Sequence, residues 1–195
     1  SKCDFGLDFH TSTRNRMTVF HARADMEDDG VRGLVEGAGF PLTISGAGAS
    51  GMMRRVATED GTPIVTVEMG EANRFQPLLI DLGLQAVENV LAANDMYPGA
   101  VARYPEYTKV LTSEEEKRWI RADSGGLVEM KWGPLPIVDE GETICTISDH
   151  YKEEEHVVEA PFDGFLVGIL ANPRVLPGHP LVHLVQVTEE DREAI

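Results

Sequence analysis

A histidine and a glutamate sit in two short segments, Asp8-Phe9-His10-Thr11 and Thr66-Val67-Glu68-Met69-Gly70, each at the end of an apolar, strand-like run. An imidazole nitrogen is a common zinc ligand and a strand-end carboxylate can accept a proton from water, so the pair points to a metal hydrolase. One histidine does not complete a catalytic zinc site, which takes three protein ligands and leaves a fourth position for water. His10 precedes the polar run Thr11-Ser12-Thr13, which would leave a sheet at its carboxyl edge, where open α/β proteins form their sites. The alternative is a hydrogen-bonded strand-end histidine without a ligand. Asp8 points to the same strand face as His10 and could orient a liganding imidazole or simply cap the strand.

Glu68 shares a face with Ile64 and Thr66 in a strand otherwise too apolar to want a charge. Two readings stay open for it, a general base or an edge carboxylate paired to an arginine. The loop Gly46-Ala47-Gly48-Ala49-Ser50-Gly51 joins a strand to a helix and lacks the lysine of a P-loop, which weakens a nucleotide reading. Arg54 and Arg55 follow in the first turns of that helix, where a cation opposes the helix dipole. An arginine so placed can serve a ligand carboxylate, which it grips bidentately. Arg54 is the candidate, and Arg55 is expected to face solvent. Arg14-Asn15-Arg16, with His21 and Arg23, forms a second basic cluster, either a substrate-neutralising patch or a solvated loop, to which no role is assigned. His150, His156, His179 and His183 lack metal-like spacing and read as structural or exposed.

The elements that must position these residues follow from periodicity. Residues 1 to about 95 alternate apolar runs with helical patterns, the grammar of a layered α/β structure with a parallel or mixed sheet. Strands are expected at Phe5–Phe9, Pro41–Ser45 and Pro63–Met69, and helices at Glu27–Glu36, Ser50–Asp60 and Pro77–Asn94. The stretch Tyr97–Tyr107 contains Pro98, Gly99 and Pro105 and reads as the linker between a domain over 1–100 and a second over 108–188. That second region shows β-type runs at Gly126–Trp132, Thr143–Ile147, His156–Glu159 and Leu181–Val187, set apart by turn signals at Asp163-Gly164 and Pro177-Gly178. An all-β sandwich or small barrel is expected there, with 189–195 a solvated acidic tail.

Composition narrows the partners. Acidic residues number 33 against 17 basic ones, and a formal charge of -16 would repel phosphate backbones, which disfavours nucleic acid. The sequence has no apolar run near the roughly 18 residues of a membrane span, and its first residues do not read as a signal peptide. Cys3 and Cys145 are far apart and read as reduced thiols of a cytoplasmic protein.

Taken in order and spacing, Asp8-Phe9-His10-Thr11, Gly51-Met52-Met53-Arg54 and Gly61-Thr62-Pro63-Ile64-Val65-Thr66-Val67-Glu68-Met69-Gly70 resemble the succinylglutamate desuccinylase/aspartoacylase family of zinc-dependent deacylases. Gly125-Gly126 and Ala160-Pro161-Phe162-Asp163-Gly164 are similar to its glycine-marked turns. The resemblance implies a carboxypeptidase-like α/β domain, present in part, followed by a smaller all-β, barrel-sandwich-like domain. It implies Zn2+ as cofactor, His10 as the third zinc ligand, Glu68 as catalytic base and Arg54 as the arginine that binds substrate carboxylate. Phe9 and Met69 stand where the family has leucines. The implied reaction is hydrolysis of the amide bond of an N-acyl amino acid or related metabolite by zinc-activated water. The likeness lies nearer bacterial deacetylase-like branches, including those acting on acetylated diaminobutyrate, than aspartoacylase itself.

The family's first two ligands, a histidine and a glutamate three residues apart, lie upstream of this histidine, and only nine residues precede His10. The expectation is therefore the carboxyl-terminal part of a longer enzyme, which alone neither binds zinc tightly nor turns over, and which could form a homo-oligomer. A rival reading is a biotinyl- or lipoyl-like carrier module, since Val138–Ile144, Val157–Pro161 and Met130-Lys131-Trp132 resemble such domains. A third is a catalytically inactive partner subunit.

Overall fold

The structure, a computed structural model, describes residues 2–13, 15–72, 74–99, 101–102, 116–133, 137–189 and 192, and the backbone at 109–111. Two compact units interleave along the chain, one comprising Ser1–Thr11, Phe20–Gly70 and Arg74–Ser113, the other Ser12–Val19, Glu71–Asn73 and Glu114–Ile195.

In chain order the first unit draws on β1 (Gly6–Ser12), the end of β2 (Arg16–Ala24), α1 (Asp29–Ala38), β3 (Leu42–Ser45), α2 (Met53–Glu59), β4 (Ile64–Glu71), α3 (Pro77–Ala93) and β5 (Lys109–Leu111). The strands lie in the order β1-β4-β2-β3-β5, with β2–β3 and β3–β5 parallel. Parallel pairing needs crossovers, and α1 is one of them. It starts because the Asp28 side chain accepts the Val31 N–H at 2.9 Å. It stops because Gly39 takes the left-handed conformation at φ 69°. Proline at the first turn of α3 costs no helical hydrogen bond. Phe20, Ala22, Val31, Leu34, Phe40, Val65, Val67, Ala86 and Val90 make the core between these strands and α1 and α3. Asn89 stitches that layer together. Its Nδ2 donates to the carbonyls of Ala38 and Ala102, each at 2.8 Å, and its Oδ1 accepts the Ala102 N–H at 2.8 Å. Three satisfied bonds at one buried amide outweigh the cost of burying it.

The main departure from expectation is β2. The basic cluster read as a patch or solvated loop is a strand over Arg16–Ala24, and His21 within it is fully buried. Val19, Phe20, Ala22 and Ala24 bury enough apolar surface to hold the strand, though Arg16, His21 and Arg23 break up its hydrophobic pattern. Arg14 of that cluster lies outside the described residues. β1 also runs three residues past Phe9, so His10 stands within a strand and not beyond its end. Of the expected linker, Ala100 and residues 103–107 lie outside the described residues. Ala102 is bonded to Asn89, and Lys109–Leu111 pairs with β3.

The second unit is built of β6 (Lys117–Arg121), β7 (Gly126–Met130), β8 (Ile137–Val138), β9 (Thr143–Ser148), β10 (Glu155–Glu159), β11 (Gly164–Leu170), β12 (Arg174–Val175) and β13 (Pro180–Gln186). β11 pairs antiparallel with β13, β8 and the Arg16–Thr18 stretch, and β13 pairs with β6. A second antiparallel sheet runs β10-β9-β7-β12. Ile144, Cys145 and Ile147 from one sheet and Leu166, Leu181 and Leu184 from the other share a single core, a two-sheet sandwich. Every residue of β11 is buried, which explains why a run without polar alternation escapes a strand reading based on period two. The tail is not wholly solvated: Arg192 ion-pairs with Asp139 and, at 3.2 Å, with Asp163. The remaining tail residues from 190 on lie outside the described residues. No described helix is long and apolar enough to cross a membrane.

Burial pushes the Cys145 thiol up to about 11 from 9.0. Between those values the unfolded chain releases the proton and the folded chain keeps it, so stability falls as pH rises from 9 to 11 and is unaffected below 9. At pH 8, a thiol reagent should label the exposed Cys3 in the folded protein and Cys145 only after unfolding. Urea titrations should show a loss of up to about 3 kcal/mol across that window, absent in Cys145→Ala; equal slopes in the two proteins would contradict it.

Candidate active site

One face of the first sheet is committed to the core, and that commitment determines what faces the other way. Phe9 of β1 and Met69 of β4 abut α3: a Cβ placed on Gly83 would stand 3.4 Å from Phe9 Cε1 and 3.3 Å from Met69 Cε. Side chains alternate along a strand, so Asp8, His10 and Glu68 project from the opposite face. On β2, Phe20, Ala22 and Ala24 enter the same core, which sends His21 and Arg23 to that opposite face as well.

His10 Nε2 lies 2.9 Å from Asp8 Oδ2, and the imidazole is 50% exposed. With Nε2 engaged, Nδ1 is the ring nitrogen open to a ligand. Glu68 Oε1 stands 3.5 Å from Arg23 Nε, both side chains being largely enclosed. The arginine pairing weighed for Glu68 is therefore present, and it comes from the strand to which no role was assigned. Burial lowers the pKa of Arg23 and the Glu68 charge raises it.

Arg54, in the first turn of α2, reaches the same group. Burial lowers its pKa, Arg23 lowers it further, and the charges of Glu68, Asp25 and Asp8 raise it. Arg54 thus feels one like charge and three opposite ones, while Arg23 pairs with Glu68. The Arg54 Nε is enclosed and has no hydrogen-bond partner among the described residues, while Nη1 points at Met52 Sδ, 3.6 Å away. Its guanidinium lies against the backbone of the glycine-rich loop, where Gly48 has φ 90° and an added Cβ would come within 2.7 Å of Nη2. Arg55, expected to face solvent, is 39% exposed and donates to Glu59 at 2.8 Å and to the Gly48 carbonyl at 3.2 Å. Asp25, Ala47, Arg54, Thr58 and Ile64 line a small cleft beside the cluster.

Among the described residues, no group of three or more histidine, cysteine, aspartate or glutamate side chains is arranged to hold a metal. The donor chemistry present fits one zinc ligand, His10, with Asp8 as the carboxylate that orients it. The structure brings Arg54 into electrostatic reach of Glu68 and of Asp8. Reasoning from sequence missed Arg23 and Asp25, although the register of Phe20, Ala22 and Ala24 was enough to place Arg23 on the polar face. In the second unit, His183 is buried and stacked on Trp119 with ring centroids 4.8 Å apart, and His150, His156 and His179 are exposed. Lys131 Nζ pairs with Glu142 at 3.3 Å.

Residues 1–94 match the family model for the succinylglutamate desuccinylase/aspartoacylase catalytic domain. Among solved structures, the chain is similar to the apo ectoine utilization protein EutE (DoeB) from Ruegeria pomeroyi, at 17% identity and TM-score 0.82, over 94% of this chain and 60% of that one. It is similar to a succinylglutamate desuccinylase from Silicibacter sp. TM1040, at 17% identity and TM-score 0.81, over 95% of this chain and 58% of that one. It is also similar to an aspartoacylase family protein from Mesorhizobium loti, at 14% identity and TM-score 0.71, over 95% and 63% of the two chains. At such identities the likeness is one of fold. The chain spans about three-fifths of the length of these relatives. No curated protein matches it in sequence.

Gly48 is the backbone position on which the Arg54 pose depends, because its φ of 90° disfavours any side chain and a methyl would displace the guanidinium. Gly48→Ala should lower unfolding free energy by about 1–3 kcal/mol in urea titrations, whereas Gly33→Ala, with open space at its Cβ, should cost nothing measurable. Equal stability of the two variants would contradict the backbone argument.

Proposed function

We propose, from the match of residues 1–94 to the succinylglutamate desuccinylase/aspartoacylase catalytic domain, that this chain belongs to that family and carries the proton-transfer and substrate-binding side of a zinc-dependent deacylase of N-acyl amino acids or related metabolites. The observation that carries this reading is the projection of His10 and Glu68 from one face of β1 and β4, with Arg54 in electrostatic reach.

His10 would hold the metal through Nδ1, with Asp8 fixing its ring. The remaining ligands would come from residues other than those described, the chain spanning about three-fifths of the relatives' length. Zinc, when bound, would polarise the scissile carbonyl and make water more acidic. Glu68 accepts the proton of the attacking water at a carboxylate oxygen, the carbon–nitrogen bond breaks, and Glu68 returns that proton to the leaving amine. Products are a small carboxylate and a free amine. Arg54 grips the carboxylate of the amino-acid portion, and the partial burial of its guanidinium strengthens that grip relative to open solvent. Two cysteines far apart in sequence, Cys3 and Cys145, are the basis for placing it in a reducing, cytoplasmic setting.

The test is release of free amine from N-acyl amino acids by the gene product that contains this chain. Glu68→Gln keeps the shape and removes the base, so kcat should fall about 10²–10⁴-fold with KM little changed. Arg54→Gln should act mainly on KM. Wild-type kcat in Glu68→Gln would overturn the assignment.

A further inference from the structure

We propose that Arg23 is the positioning residue for Glu68, holding its carboxylate toward the polar face of the sheet while leaving an oxygen lone pair open for the proton it accepts. The proposal rests on the reading of Glu68 as proton acceptor and deepens it.

Arg23 and Glu68 stand on adjacent strands, β2 and β4, with Nε 3.5 Å from Oε1. Arg23 Nε is enclosed and, among the described residues, meets no acceptor in hydrogen-bond geometry. A guanidinium withdrawn from water needs a counter-charge, and Arg23 and Arg54 divide the available carboxylates unequally. The charges of Glu68, Asp25 and Asp8 all act on Arg54, with none of them in a salt bridge to it among the described residues. Among the described residues, Glu68 is the carboxylate whose charge raises the pKa of Arg23, and it is the one in ion-pair range. Glu68 is therefore the anion to which Arg23 is committed, whereas Arg54 keeps support from Asp25 and Asp8 and can turn to a substrate.

The spacing matters as much as the sign of the charges. A bidentate fork at hydrogen-bond length would occupy both carboxylate oxygens and oppose protonation. An ion pair at 3.5 Å orients the carboxylate by charge without engaging its lone pairs at that distance. Both side chains start from stiff strand backbone, and Val65 and Val67 anchor β4 in the core on its other face. The fold thus limits how far Glu68 can swing, and Arg23 selects among the rotamers that remain.

The experiment reads the carboxyl ¹³C resonance of Glu68 in the 195-residue chain carrying glutamate labelled at that carbon, the peak being identified as the one lost in Glu68→Gln. In the wild type it should stand apart from the exposed glutamates. Arg23→Gln should move it to their position, and Arg23→Lys, which keeps the charge but not the fork, should leave it between. An unmoved peak in a folded Arg23→Gln chain overturns the proposal. If that variant fails to fold, Arg23→Lys decides: a displaced peak supports positioning, and a wild-type peak shows that Arg23 only balances charge. This resonance does not depend on turnover, so a failure of the deacylase reading, seen as full activity in Glu68→Gln, is distinguishable from a failure of this one. In the active gene product, Arg23→Gln should lower kcat about tenfold and leave KM unchanged, the opposite split from Arg54→Gln.

Discussion

The alternation of side chains along β1, β4 and β2 is the constraint on which the site depends. Phe9 and Met69 must meet α3, and Phe20, Ala22, Val65 and Val67 must fill the core, so a strand of period two has one other direction left. Asp8, His10, Arg23 and Glu68 occupy that direction. A one-residue slip in any of these strands would bury a charge and expose a core side chain together, so the packing that stabilises the sheet also sets the register of the polar face.

That face is a small ionic cluster in partial shelter. Opposed arginines raise the energy of the folded state, and the carboxylates around them compensate. Such an arrangement adds little to stability, since desolvation offsets most of the attraction. Its physical consequence is a fixed field of charges that need not reorganise when a proton moves or an anion enters. The glycine-rich loop contributes by geometry: Gly48 lets the Arg54 guanidinium lie against the backbone where any other residue would push it out.

Much of this was legible from the amino acids. β4 is legible from Ile64, Val65, Thr66 and Val67, though it runs two residues beyond the expected end at Met69, and α3 from its apolar face and Pro77. His10 and Glu68 stand out as an imidazole and a charge at the ends of apolar runs, and Arg54 as a cation in the first turns of a helix, where it opposes the dipole. What stayed hidden has physical causes. β2 mixes Arg16, His21 and Arg23 with residues that are buried only because α1 and α3 arrive from elsewhere in the chain. β11 is covered on both faces and shows no alternation to read. The partner of Glu68 lies 45 positions earlier in sequence, and only the pairing of β2 beside β4 brings it near. The ion pair of Arg192 with Asp139 and Asp163 is likewise a product of tertiary approach.

The central claim is that His10 ligates zinc on this polar face. It is tested most directly by elemental analysis of the gene product containing this chain, dialysed beside its His10→Ala variant. The account predicts about one zinc per chain in the first and a loss of most of it in the second. Zinc absent from both, or retained in full without the imidazole, would contradict it.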